Sequence, residues 1–407
     1  MGGVVSPLAP AGFPNLPAIA GARVGAAEVN IRYRGRPDVF LAVFDPGTTV
    51  AAVVTRSLTR SAPVDWCAAH AGGPGRVFVA NAGNSNAFTG RLGVASVERT
   101  VAAAAQQFGC SPQEVFPAST GVIGEPLDDA KITNALPSIA LSADGWADAA
   151  RAIMTTDTFP KGAARTCTIG GKTVTLVGIA KGSGMIQPDM ATMLAFCATD
   201  AAIPGPILQT LLRQATDRSF NCITVDSDTS TSDTLLLAAT GQAGNPVPTS
   251  IGDPALRGFK RALLALLQDL AIQVVKDGEG AEKLITVTVQ GAASARAARL
   301  VGLTIANSPL VKTAIAGEDA NWGRIVAAVG KSGQKADRDR LAVWIGGVLV
   351  ASDGQRVEGY DETPVAQHIK TRDIHLKVDL GVGRGAATVW TCDLTHRYID
   401  INASYRS

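Results

Sequence analysis

Short apolar runs of strand length alternate with amphipathic helical stretches along most of this chain, and that alternation most limits its fold. Arg76–Asn81 reads as a strand and leads into a polar Asn/Gly loop at Asn81–Asn86. An Ala-rich helix is predicted over Leu92–Phe108. Ser111, Pro112 and Glu114 then supply an N-cap, a proline at the first helical position and a capping-box acid. Ala143–Met154 reads as a further helix. Arg165–Ile169 and Lys172–Ile179 flank Gly170-Gly171, the pattern of a β-hairpin. Ala191–Thr199 is almost wholly apolar, as a strand buried on both faces should be.

The longest helix begins at Asp253-Pro254 and stops at Gly278. Leu256, Phe259, Leu263, Leu266, Leu267, Leu270 and Val274 form one apolar stripe along it. After Glu282 the pattern restarts, with a strand over Leu284–Val289 and a helix over Ala293–Ile305. Ala342–Ala351 and Ile374–Leu380 read as further strands. The expected architecture is α/β (α+β layered), and not a helix bundle or a β-sandwich. A layered region spans residues 1–281, and a C-terminal α/β domain spans 282–407.

At roughly 150 residues per domain, 407 residues suffice for two or three domains and a large core. Hydrophobic residues are 46% and charged residues 18%, which excludes a disordered chain. Lys plus Arg total 37 against 35 Asp plus Glu, so no global field points to nucleic acid or an anionic membrane. No uncharged apolar stretch reaches the ~18 residues a membrane span needs. Pro7, Pro10, Pro14 and Pro17 interrupt the uncharged N-terminal segment, which also lacks a basic start, so no signal peptide is expected. Six scattered cysteines without a CxxC imply reduced thiols and a cytoplasmic setting.

Several familiar sites fail on spacing. Gly330-Lys331-Ser332 lacks the leading glycine of a phosphate loop, because position 325 is Ile325. Gly381, Gly383 and Gly385 lie between strands and not before a helix, which argues against a dinucleotide site. Cys67 with His70, and Cys392 with His396, have ligand-like spacings but no partner pair, so no metal is expected. A nucleophile elbow is absent too, leaving Ser-His-Asp chemistry without a nucleophile.

Chemistry concentrates in Lys181-Gly182-Ser183-Gly184-Met185-Ile186-Gln187-Pro188-Asp189-Met190-Ala191-Thr192-Met193-Leu194. On the residues alone, two readings stand. One is a glycine turn before a core strand that happens to contain a threonine. In the other, the Thr192 hydroxyl attacks the Ala191 carbonyl, and an N-to-O acyl shift with ester hydrolysis cuts the chain between them. Thr192 would then carry a free α-amine with an ordinary pKa of about 7.7–8.0. Such an amine serves as base for its own hydroxyl, and no histidine is needed.

The run around Thr192 resembles that of the ornithine acetyltransferase (glutamate N-acetyltransferase) family, the arginine-biosynthesis bifunctional proteins. Asn81–Gly90 resembles the family's Asn-rich loop, and Ser119-Thr120-Gly121-Val122-Ile123-Gly124 its oxyanion-hole segment. Ile153-Met154-Thr155-Thr156-Asp157-Thr158 and Asp277-Gly278-Glu279-Gly280-Ala281 are similar to further family motifs. So are Leu310–Ala314 through Asn321-Trp322-Gly323-Arg324, and the terminal Asn402-Ala403-Ser404-Tyr405-Arg406-Ser407.

The resemblance implies Thr192 as nucleophile of both self-cleavage after Ala191 and acetyl transfer, giving chains 1–191 and 192–407 that assemble as α2β2. It implies mixed sheets sandwiched by helices, and an oxyanion hole formed by the Thr120 hydroxyl and the Gly121 N–H. Thr155, Lys181, Thr192, Glu279, Asn402 and Ser407 fall on its substrate-contact positions. Charge matching assigns Lys181 to a substrate carboxylate and Glu279 to a substrate ammonium. The implied reaction passes an acetyl group from N2-acetyl-L-ornithine to L-glutamate, releasing L-ornithine and N-acetyl-L-glutamate without a cofactor. Some family members also take acetyl-CoA as donor, and no phosphate-cradling motif separates the two cases here. The rival readings are a self-processing aminopeptidase or amidase of the same fold, passing the acyl group to water, and a non-enzymatic protein that stays uncut.

Overall fold

The computed structural model describes residues 4–187 and 193–403, and the chain divides into two compact units. The first comprises Ala11–Asn221 and Asp228–Val274. Its four-stranded sheet runs in the order Ala22–Ala27, Val39–Phe44, Val77–Asn84, Val115–Val122, antiparallel except for the last, parallel pair. Its five-stranded sheet runs Thr49–Val54, Thr234–Ala239, Leu194–Thr199, Lys172–Lys181, Lys161–Ile169, with only Thr234–Ala239 and Leu194–Thr199 parallel.

The two sheets meet face to face through large apolar side chains. Phe196 lies with its ring centroid 4.7 Å from that of Phe40 and 6.1 Å from that of Phe78. Ala42, Phe116, Val177, Ile179 and Leu236 extend the same buried layer. Helix Gly90–Phe108 covers the outer face of the first sheet, packing Val97, Val101 and Ala104 against Val39, Leu41, Val77 and Val79. On the second sheet, Leu266 and Leu270 of helix Arg257–Lys276 come down onto Gly178. A Cβ there would lie 2.8 Å from both Leu270 Cδ1 and Cys197 Sγ, so close helix–sheet approach demands glycine. The result is a helix–sheet–sheet–helix layering. Strands covered on both faces read as continuous apolar runs, and all six residues of Leu194–Thr199 are buried.

The second unit comprises Met1–Pro10, Cys222–Ser227 and Val275–Ser407. Its six-stranded sheet is ordered Gln355–Arg356, Val348–Ser352, Ala342–Ile345, Asp373–Asp379, Leu284–Ala292, Gly385–Cys392. Only Leu284–Ala292 and Asp373–Asp379 run parallel. Val287, Val378 and Val389 of the sheet share a core with Val301, Ile315 and Ile325 of the helices Ala295–Ala306, Pro309–Ala316 and Trp322–Gly330.

The Gly170-Gly171 hairpin forms as predicted, pairing Ile169 with Lys172, and both glycines have the positive φ of a tight hairpin turn. All seven residues of the long apolar stripe are buried. A 3-10 turn over Pro254–Leu256 starts that helix, capped where Ala255 N donates to Asp253 Oδ1 at 2.9 Å. Two expectations need correction. Ala342–Ala351 is two strands joined at Gly346 (φ 60°) and Gly347 (φ 85°), because paired positive φ values turn the chain back on itself. Asn81–Asn86 is not all loop, since its strand continues to Asn84 beside the strand Val115–Val122.

Candidate active site

Thr120 and Gly121 sit near the end of strand Val115–Val122, opposite Ala82 and Gly83 of the parallel neighbour. The register slips between Gly83 and Asn84, and both glycines hold positive φ, 105° and 135°. A Cβ on Gly121 would lie 2.3 Å from the Gly83 carbonyl carbon, so no side chain fits. The Asn-rich loop fastens this turn from within. Ser119 Oγ donates to Asn81 Oδ1 at 2.7 Å, Asn81 Nδ2 to the Asn84 carbonyl at 2.9 Å, and Asn86 N to Asn84 Oδ1 at 2.7 Å.

Lys181 closes strand Lys172–Lys181 of the other sheet and is buried. Its Nζ lies 3.4 Å from Thr120 Oγ1. An ammonium only donates, so Thr120 accepts in this contact and keeps its own O–H for a further acceptor. The sheet-to-sheet packing thus delivers a cation and an aligned hydroxyl to one place, with the Gly121 backbone beside them.

Asp157 organises the surroundings. Its Oδ1 accepts from Lys161 Nζ at 2.6 Å and from Gly182 N at 2.7 Å, and its Oδ2 accepts from Thr155 N at 3.0 Å. Burial works against its charge, yet Lys161 and Lys181 outweigh burial and hold the carboxyl well below the usual carboxylate range. Lys161 is itself fully buried and also donates to the Phe159 carbonyl at 3.1 Å. Through one carboxylate, Thr155 and the residue after Lys181 share an anchor. Sequence reasoning quoted Asp157 inside a motif but assigned no role to it or to Lys161. The available signal was a pair of opposite charges four residues apart in an otherwise uncharged segment.

Asp233 is a second residue missed from sequence. It is fully buried just before strand Thr234–Ala239, and its Oδ1 accepts from Met193 N at 2.8 Å. Burial pushes its carboxyl well above the usual range, against the opposing pull of the Met193 N–H and the Lys181 charge.

In the second unit, Glu279 lies in the turn before strand Leu284–Ala292 and is buried. Asn402 Nδ2, on helix His396–Ala403, donates to Glu279 Oε2 at 2.7 Å. Gly280 holds φ 75°, its carbonyl accepts from Thr395 Oγ1 at 2.8 Å, and a Cβ there would lie 2.7 Å from Tyr398 N. The structure therefore gathers Thr120, Gly121, Thr155 and Lys181 within one unit, and Glu279 with Asn402 within the other. Ala191, Thr192 and Ser407 lie outside the described residues. Among the described residues, no group of three or more His, Cys, Asp or Glu side chains could hold a metal ion. No helix among them is long and apolar enough to cross a membrane.

Fold and site together define a layered α/β protein in which a Thr-Gly pair and a buried lysine converge on one point. The ArgJ family model matches residues 23–407. The chain is 55% identical over 413 residues to the arginine biosynthesis bifunctional protein ArgJ of Mesorhizobium japonicum, covering 100% of both chains. It is 58% identical over 406 residues to the protein of the same name from Gluconobacter oxydans, covering 99% of this chain and 96% of that relative. A crystal structure of arginine biosynthesis bifunctional protein ArgJ from Bacillus halodurans is 40% identical, with a TM-score of 0.49 over 51% of this chain and 96% of that one. This chain belongs to the ArgJ family.

Proposed function

We propose that this ArgJ family member transfers the acetyl group of N2-acetyl-L-ornithine to L-glutamate through an acetyl ester on Thr192, after cutting itself between Ala191 and Thr192. The observation that carries the reading is the approach of Lys181 Nζ to Thr120 Oγ1, 3.4 Å apart, beside the glycine-only position 121. A hydroxyl oriented by a cation, next to a backbone N–H, is a donor pair suited to a developing oxyanion.

In the first half-reaction, Thr192 Oγ attacks the acetyl carbonyl carbon while the Thr192 α-amine takes the hydroxyl proton. Charge collects on the carbonyl oxygen, where the Thr120 O–H and the Gly121 N–H stabilise it. The bond to the ornithine nitrogen breaks, the α-amine returns its proton to that nitrogen, and L-ornithine leaves. L-glutamate then attacks the ester through its amine by the same steps in reverse, giving N-acetyl-L-glutamate. Lys181 pairs with a substrate carboxylate and Glu279 with a substrate ammonium, with Thr155, Asn402 and Ser407 as further contacts. Both substrates carry an α-carboxylate, so the Lys181 contact serves both half-reactions, whereas the Glu279 contact serves the side-chain ammonium of N2-acetyl-L-ornithine. Acetyl-CoA is a second donor for the same ester, and the cut chains assemble as α2β2.

A denaturing gel tests the cleavage. Chains 1–191 and 192–407 of this 41.8 kDa protein should run at about 20 and about 22 kDa. Mass spectrometry after adding N2-acetyl-L-ornithine without glutamate should find an acetyl group on the fragment starting at Thr192. An intact band, or a cut chain that never carries the acetyl group, overturns the reading. Acyl transfer to water in preference to glutamate would favour the amidase alternative.

A further inference from the structure

We propose that Asp393 and Thr395 are positioning residues for Glu279, and that through it they set the preference for a donor carrying a side-chain ammonium. The proposal rests on the reading of Glu279 as partner of the ornithine ammonium. Antiparallel pairing sets Leu284 opposite Cys392, so the buried Asp393 leaves the sheet beside Lys283. There the two chains are tied both ways. Asp393 Oδ1 accepts from Glu282 N and Lys283 N, each at 2.9 Å, and Asp393 N donates to the Lys283 carbonyl at 3.2 Å. One carboxyl oxygen thus holds successive amides at the foot of the turn that carries Glu279. Thr395 holds the residue directly after Glu279, its Oγ1 donating to the Gly280 carbonyl at 2.8 Å. The approach is close enough that a Cβ at position 280 would lie 3.1 Å from Thr395 Oγ1. Lys312, in a motif with no role so far, secures the chain on both sides of Asp393. Its buried Nζ donates to Thr391 Oγ1 at 3.0 Å and to the Val225 carbonyl at 2.7 Å, and its own carbonyl accepts from Leu394 N at 3.3 Å.

Ordinary packing does not explain this arrangement. Helix His396–Ala403 brings Asn402 to Glu279, yet none of its side chains is buried. Most helices are held by an apolar face, and this one is held by polar ties. Thr395 fastens its start to Gly280, Tyr398 Oη donates to Asp226 Oδ2 at 3.4 Å, and Asn402 fastens its end to Glu279. The Glu279 turn and the Asn402 helix are thus joined through Asp393 and Thr395 before their side chains meet. A binding carboxylate discriminates only as well as its supporting groups hold it. Loss of Asp393 or Thr395 leaves Glu279 its charge but releases its turn from the chain that carries Asn402. A donor ammonium then gains little over a hydrogen atom in the same place.

The test compares full-length wild type, Asp393→Ala, Asp393→Asn, Thr395→Val and Glu279→Gln, each confirmed as folded by circular dichroism and thermal melting. Formation of N-acetyl-L-glutamate is followed with N2-acetyl-L-ornithine and with N2-acetyl-L-norvaline, which keeps the carbon chain and lacks the ammonium. The readout is the ratio of kcat/KM for the two donors. Wild type should favour the ornithine donor at least about tenfold, as a charged hydrogen bond allows, and Glu279→Gln should lose most of that preference. Asp393→Ala and Thr395→Val should each lower the ratio at least about threefold, with kcat/KM for the norvaline donor within about twofold of wild type. Asp393→Asn keeps an acceptor for both amides and should recover much of the ratio. A folded Asp393→Ala with the wild-type ratio would overturn the proposal. So would equal losses with both donors, which mean support of the fold alone, or an Asp393→Asn as poor as Asp393→Ala. If Asp393→Ala does not fold, Thr395→Val decides: a wild-type ratio or equal losses there would overturn it. A wild type without preference, or a Glu279→Gln that keeps it, would instead sink the underlying reading of Glu279.

Discussion

Lys161 Nζ lies 2.6 Å from Asp157 Oδ1, and neither side chain has any exposure to solvent. Removing one partner strands the other as a buried charge, a loss of about 3–5 kcal/mol in comparable pairs. Asp157→Asn should therefore lower folding stability by about that much in chemical denaturation. Asp157→Leu combined with Lys161→Met should recover much of the loss. A stability change within ~1 kcal/mol for the single variant would contradict the pairing.

The same pair sets an acid limit. The native Asp157 carboxyl is held below its ordinary value of about 3.9, so its contribution is fully present above that pH. It is lost as the pH falls through the lower native value. Folding stability measured from pH 7 towards pH 2 should fall, and Asp157→Asn should show a flatter dependence. Parallel curves for the two proteins would count against the assignment.

At the proposed oxyanion site, Thr120→Val removes a hydroxyl while keeping the shape. It should lower kcat by about 10²–10³-fold, the usual effect of losing one such donor. Its melting temperature should change little, because the hydroxyl's contact with Lys181 is long. Gly121→Ala should differ in kind. A methyl group 2.3 Å from the Gly83 carbonyl carbon must force the strands apart, so melting temperature and activity should fall together.

Glu279 and Asn402 are joined by a 2.7 Å hydrogen bond, so their substitutions should share a phenotype. With Glu279 on the side-chain ammonium of N2-acetyl-L-ornithine, Glu279→Gln should raise KM for that substrate at least tenfold. Asn402→Ala should raise it less, since the carboxylate remains. Steady-state kinetics with each amino acid varied in turn would detect either effect, and unchanged KM values would remove Glu279 from the binding role.

Thiol reactivity should follow burial. Cys67, Cys197, Cys222 and Cys392 are buried, and burial pushes the Cys197 thiol up to about 12. Cys110 and Cys167 are half-buried, and burial pushes the Cys167 thiol up to about 11. Iodoacetamide on the native protein at pH 8 should modify Cys110 first and Cys167 slowly, leaving the other four until denaturation. Mass spectrometry of the peptides would show the order, and early labelling of Cys197 would refute it.

Sequence alone determined the elements and the chemistry that depends on neighbours in the chain. Apolar periodicity is local, so the stripe from Leu256 to Val274, the Gly170-Gly171 hairpin and the buried strand ending at Thr199 were all legible. The candidate scissile bond was legible for the same reason, because Ala191 and Thr192 are covalently adjacent. Only the tertiary structure decided which distant residues meet. Strand pairing set Ala82 opposite Thr120 and made Gly121 obligatory. Sheet-to-sheet packing brought Lys181 to Thr120, and parallel pairing of Leu194 with Thr234 delivered Asp233 to Met193. No local pattern encodes those meetings: Lys161, Asp157 and Asp233 look in sequence like ordinary surface charges. Burial in the fold is what raises the energetic stakes of each one and makes its partner matter.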